Sequence, residues 1–185
     1  MNTVLNLQIP SSWEGVTINQ MIKLQEVKSN DLKSLIKLVK IFNPDIDPTE
    51  MEIEVLLQVA NSIYDVITKQ AEPENKTEYI IDGVTYHIAN PEALDFGEFL
   101  DVNSLNSNDE AEQIRNLPLI LSLITVERPD DAVKAWAGII ADKVDVCTAL
   151  GCVLFFSENL MEFIKNSPVY SQISNLNNKA SENAK

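Results

Sequence analysis

The chain has 185 residues, 45% of them apolar, and a net charge of −14. Length and apolar content suit one domain with a real hydrophobic core, and the acidic excess argues against direct nucleic-acid binding through a basic face. The longest strongly apolar run, VCTALGCVLFF from Val146 to Phe156, is eleven residues, against about twenty for a membrane helix, so it reads as a buried central helix and no membrane insertion is expected.

The opening MNTVLNLQIP lacks the basic stretch and apolar run of a secretory leader, so none is expected. Residues 4–9 alternate, with Leu5, Leu7 and Ile9 on one side, the pattern of a half-buried strand. Thr17 with Gln20 forms a capping box flanked by Val16 and Met21, which starts a helix near residue 18 and carries it to about 27. Ser29 or Asn30 caps a second helix with an apolar stripe at Leu32, Leu35, Ile36, Val39 and Phe42. Lys33, Lys37 and Lys40 form a basic stripe on it, either a solvated face or a docking strip for an acidic surface. Asp47 and Pro48 start a third helix, apolar at Leu56, Val59, Ala60, Ile63, Val66 and Ile67 and reaching about residue 70; AEPENKT follows as a polar linker.

Asp82-Gly83 marks a two-residue type I′ turn. It places Ile81 opposite Val84, Tyr79 opposite Tyr86 and Thr77 opposite Ile88 on one mostly apolar face; Ile80–Thr85 and Glu78–His87 lie on the other. Two strands alone are marginal in water, so the N-terminal strand is the expected third. Asn90-Pro91 restarts a helix anchored by Leu94, Phe96, Phe99 and Leu100. Ser107 with Glu110 caps the next, where Pro118 predicts a kink or break. Residues 131–143 form a helix with Trp136, Ile139 and Ile140 inward, and residues 144–165 the most apolar helix. The fold class is therefore α+β, mainly α, with about seven helices and a small antiparallel sheet made of the N-terminal strand and the 77–88 hairpin. Residues 1–168 form one domain and 169–185, rich in Asn, Ser and Lys, a flexible tail.

Chemistry-bearing patterns are sparse. Cys147 and Cys152 stand about 140° apart around a helix. They cannot bridge each other there and lack zinc-ligand spacing, so both read as small buried apolar residues in a reducing compartment. The single histidine, His87, sits opposite Glu78 as a cross-strand polar pair. DIDPTE suggests a calcium loop, yet the required glycine and glutamate positions, counted from Asp45, hold Glu50 and Leu56. No phosphate-binding or nucleophile-elbow glycine motif is present. Asp130/Asp131 and Asp109/Glu110 fit helix starts, and Gly138 and Gly151 fit close helix packing. No enzyme, cofactor or metal is expected.

The charge is unevenly placed: residues 1–43 sum to +2, residues 44–115 to −14 and residues 116–185 to −2. Such a layout favours solubility and docking onto other macromolecules, including head-to-tail homo-oligomers. A short strand followed by SSWEGVTINQ, then YIIDGVTYHI, DFGEFLDVNSL and LPLILSLITV, resembles small proteins from the structural gene blocks of large tailed phages, crAss-like phages of Bacteroidales above all, over roughly residues 5–156. The resemblance carries over no functional residue. It implies a virion-associated protein, packaged cargo or a head–tail junction component, contacting other phage structural proteins in the virion or in host cytoplasm during assembly. A tail assembly chaperone or adaptor absent from the mature particle is the alternative. An acidic mimic of nucleic acid ranks third.

Overall fold

The computed structural model describes residues 7–27, 29, 31–128 and 132–166, which fold into seven α-helices and one two-stranded antiparallel sheet. This is the expected α+β, mainly helical class. The expected boundary to a tail at 168 lies outside the described residues.

Helix α1 (Ile18–Leu24) starts at the expected capping box: Gln20 N donates to Thr17 Oγ1 at 3.3 Å and Thr17 N to Gln20 Oε1 at 2.9 Å. It ends earlier than expected, with Gln25 as its C-cap. Helix α2 (Leu32–Phe42) is capped by Asp31, not by Ser29 or Asn30; Asp31 Oδ1 accepts from Ser34 N at 2.8 Å. A carboxylate does this work better than a hydroxyl because the helix N-terminus carries partial positive charge. Ser29 is left to bond the Ser34 hydroxyl at 2.9 Å.

Asp47 caps a single 3₁₀ turn, Pro48–Glu50, and not the third helix itself. Met51 and Glu52 are extended, so α3 (Ile53–Ile67) begins afresh. Its apolar face packs against that of α2: Leu38, Val39 and Phe42 of α2 and Leu56, Val59, Ala60 and Ile63 of α3 are buried. Leu32, read as part of that stripe, is 52% exposed at the open end of α2.

Strands β1 (Glu78–Ile81) and β2 (Val84–His87) pair in the expected register, Ile81 with Val84 through Glu78 with His87. Asp82 at φ 50° and Gly83 at φ 82° make the turn, a geometry only glycine adopts without strain at the second position. Tyr79 and Ile81 are buried, Tyr86 is half-buried, but Val84 beside the turn is 53% exposed.

The third neighbour of the hairpin is a correction to the sequence reading. Residues 124–126 lie beside the end of β2: Ala89 N donates to Ile124 O at 2.7 Å and Val126 N to His87 O at 2.9 Å, around an Ile88–Thr125 bridge. Among the described residues the N-terminal segment adds no strand to the sheet. Residues 4–6 lie outside the described residues, and residues 7–10 form no strand. The main chain of Gln8 is instead clasped by the buried Asn43 side chain, with Gln8 N to Asn43 Oδ1 at 2.7 Å and Asn43 Nδ2 to Gln8 O at 3.0 Å. A side-chain amide thus supplies the donor and acceptor that a neighbouring strand would have supplied.

Asn90 and Pro91 make only a 3₁₀ turn, and α4 (Phe96–Ser104) is started by an Asp95–Glu98 capping box. Asp109, not Ser107, caps α5 (Glu110–Leu123) through Glu112 N at 3.0 Å. The helix runs through Pro118 without a break, in a fully packed stretch where Leu117, Pro118, Ile120 and Leu121 are buried. Burial of those neighbours outweighs the one hydrogen bond that proline removes. Helix α6 (Val133–Lys143) turns Trp136, Ala137 and Ile140 inward; Ile139 faces out at 43% exposure. Helix α7 (Val146–Asn166) is long and apolar enough, by length and composition, to cross a membrane. Its buried residues, Val146, Ala149, Gly151, Cys152 and Phe156, all belong to the first half.

Candidate functional site

The lysine stripe of α2 lies where the periodicity put it. Lys33, Lys37 and Lys40 are exposed and line one cavity of about 940 Å³ between α1, α2 and the 44–48 turn, together with Lys23 of α1. Two of the three are engaged within the chain. Lys37 Nζ is 2.8 Å from Glu26 Oε2, and Lys40 Nζ donates to Ile46 O at 2.9 Å. The Lys37 bond and charge hold the Glu26 carboxyl below the usual range. Asp47, on the same rim, is lowered first by its Thr49 hydrogen bonds and to a lesser degree by Lys40. Lys23, Lys33 and Lys40 make no ion pair among the described residues, so theirs are the charges this groove offers to an incoming group. Sequence reading missed Lys23; its only signal is a lysine in the last turn of a short capped helix.

A second concavity, of about 600 Å³, opens where the two parts of the interior meet. Met21, Ile67, Ile114, Leu150 and Val153 are its half-buried walls, Ile18, Leu117 and Val146 its floor, and Lys69, Gln70, Asn106, Glu110 and Gln113 its polar rim. Trp13 closes one side and is fixed there by its indole N–H, which donates to Lys69 O at 2.7 Å. Apolar walls with a sparse polar rim and this volume are what a recessed binding site needs.

The single histidine and the two cysteines sit apart from both concavities. His87 Nδ1 is 3.3 Å from Glu78 Oε2 across the hairpin, the polar pair that the register implies, with both side chains exposed. Cys147 is half-buried and Cys152 fully buried, and both thiols are free. Burial pushes the Cys152 thiol up to about 12 and raises that of Cys147, so neither supplies much thiolate near neutral pH. Among the described residues no group of three or more His, Cys, Asp or Glu side chains could hold a metal ion. Of the acidic pairs, Asp109 is a helix cap, as expected; Asp130 and Asp131 lie outside the described residues.

No family model matches the chain, and no curated protein or solved structure does so either.

Proposed function

We propose that this chain is a non-enzymatic protein that works through protein–protein contacts in a tailed phage, as packaged cargo or a head–tail junction component of the virion. The observation that carries the contact-making part is the groove between α1 and α2. On a chain of net charge −14 it gathers four lysines against the three carboxylates of Glu26, Asp47 and Asp142, and of the four only Lys37 is ion-paired among the described residues. A local cationic recess on an acidic body favours one orientation of approach over others, which is the use charge complementarity has at interfaces. The phage assignment rests on the resemblance of the SSWEGVTINQ, YIIDGVTYHI, DFGEFLDVNSL and LPLILSLITV segments.

In this reading α7 is an interior helix and not a membrane span. The main chain of Glu74 lies directly on Gly151, Lys76 N donates to Gly151 O at 3.1 Å, and Lys76 Nζ reaches Thr148 Oγ1 at 2.8 Å. Lipid could not replace those polar contacts.

The apolar recess around Met21, Ile67 and Leu150 favours a second reading, a tail assembly chaperone that holds an apolar segment of another protein and is absent from the mature particle. Mass spectrometry of purified particles separates the two. Stoichiometric recovery supports the virion protein. Absence from particles, with abundance in infected cells, overturns it in favour of the chaperone.

A further inference from the structure

Residues 7–13 run over the surface and are held at their two ends. Ile9 is 42% exposed, and Ser11 and Ser12 are exposed as well. At one end Asn43, the C-cap of α2, bonds both main-chain groups of Gln8. At the other the Trp13 indole donates to the carbonyl of Lys69, just past the end of α3. Two half-buried side chains, Leu7 and Trp13, press on the apolar interior beneath α2 and α3. Among the described residues the only main-chain bonds this stretch makes are turn bonds, to Ser12 O from Gly15 N and to Trp13 O from Val16 N.

Beyond that turn the chain is fixed far more firmly. Val16 and Ile18 are fully buried, and the junction of α6 and α7 holds their main chain: Ile18 N donates to Val144 O at 3.1 Å and Val146 N to Val16 O at 2.9 Å. Glu14 and Gly15, both exposed, lie between the two regimes. A few side-chain hydrogen bonds and two half-buried side chains hold a segment much less tightly than a core element is held. Such segments open locally at a fraction of the global unfolding free energy. Trp13 is also one wall of the apolar recess, whose other walls come from α1, α3, α5 and α7.

We infer that residues 7–13 are a clasp that gates this recess. They leave the ends of α2 and α3 as one unit, by unwinding the single 3₁₀ turn Trp13–Gly15, while Val16 and Ile18 stay in place. With Trp13 lifted, the recess between Met21, Ile67 and Leu150 is open on that side to an apolar group from solution. Access to the recess matters in either reading of function, and the exchange measurements below do not depend on whether the chain enters the particle.

The test is hydrogen exchange on the full chain, corrected for intrinsic rates, because two indole N–H groups report on two depths. Trp13 belongs to the clasp, whereas Trp136 is buried and bonded to Tyr79. The Trp13 indole and the Gln8 amide should open together, with one shared, weak urea dependence, and at least about a hundredfold more readily than the Trp136 indole. Asn43→Ala removes the far anchor and should speed exchange at the Trp13 indole by about five- to tenfold. The dye 1-anilinonaphthalene-8-sulfonate is the apolar probe. Binding to the released form draws population toward it, so rising dye should speed Gln8 exchange and leave the Ala89 amide no faster. A Trp13 indole as slow as that of Trp136 overturns the clasp. So do unlike urea slopes for Gln8 and Trp13, or an Asn43→Ala chain in which Trp13 exchange is unchanged. A dye that does not bind, or that leaves Gln8 exchange unchanged or slower, overturns the gating. If Asn43→Ala does not fold, the measurements on the unmodified chain decide alone.

Discussion

Beneath α2 and α3 the interior is dry, whereas beneath the hairpin it is threaded by polar groups. Leu38, Val39, Phe42, Leu56, Val59, Ala60 and Ile63 make the first region by apolar contact, with a single buried amide, Asn43, at the end of α2. In the second, a directed chain of hydrogen bonds crosses the core. Trp136 Nε1 donates to Tyr79 Oη at 3.1 Å, Tyr79 Oη lies 2.8 Å from Thr125 Oγ1, and Thr125 Oγ1 donates to Leu121 O at 2.6 Å. Thr125 has one proton and gives it to Leu121, so Tyr79 must be the donor to Thr125. The Tyr86 ring leans on both aromatics, 5.5 Å from Tyr79 and 4.9 Å from Trp136. A dry core specifies shape through volume, while a polar chain specifies one arrangement, because every other arrangement leaves a buried group unpaired.

The harshest test of the dry region is Ile63→Ala. Ile63 is fully buried between α2 and α3, and removing three carbons there should cost about 2–5 kcal/mol, read as a lower urea midpoint at unchanged slope. A loss below about 1 kcal/mol would mean that α2 and α3 collapse onto the gap, and that this half is plastic, not close-packed.

On the hairpin side the corresponding weak point is backbone. The linker before β1 crosses α7 so closely that a Cβ on Gly151 would collide with the Glu74 carbonyl oxygen, and the neighbouring Lys76 N–H is bonded to Gly151 O. Gly151→Ala should therefore destabilise by about 1–3 kcal/mol although alanine is the better helix former. Denaturation midpoints of the two proteins decide it; an alanine variant of equal or greater stability would show that the linker does not press on the helix.

Tyr79→Phe keeps the ring and removes one oxygen. Trp136 Nε1 loses its acceptor and Thr125 its donor inside the core, at a cost of about 1–3 kcal/mol. A double variant with Thr125→Val sharpens the comparison. If the chain acts as a unit, the two losses will fall short of additive in a double-mutant cycle. Strict additivity would reduce the polar half to independent contacts.

These differences explain what the amino-acid sequence disclosed. The dry half was legible because a 3.6-residue apolar stripe is a local signal, and so was the hairpin register, which Asp82-Gly83 sets by itself. The partner of β2 was not legible. Residues 124–126 end an apolar run that reads as helix, and their pairing with residues 87–89 is a long-range fact. Alternation in residues 4–9 reports extended, half-buried chain, yet it cannot say whether a strand or the Asn43 amide will satisfy that backbone. The lysine stripe was visible in spacing alone. Its partners within the chain were not, since Glu26 and the Ile46 carbonyl come from other segments.

The two helical glycines carry the comparison down to its smallest effect. Both read alike in sequence, as sites of close helix packing. Gly151 does meet another segment, a linker and not a helix, whereas a Cβ on Gly138 would meet nothing within 4 Å, on the exposed side of α6. Close packing therefore does not account for Gly138. With helical φ and open space around it, alanine there restricts the unfolded chain and favours the helix at no steric cost. Gly138→Ala should raise stability by about 0.4–1 kcal/mol, seen as a higher urea midpoint at unchanged slope. Opposite signs for the same substitution on neighbouring helices would locate the constraint in the 74–76 crossing. A loss of stability at Gly138 would instead mean that something in solution covers that face of α6, and particle-bound protein protected from exchange along residues 134–139 would then identify the face as a contact surface.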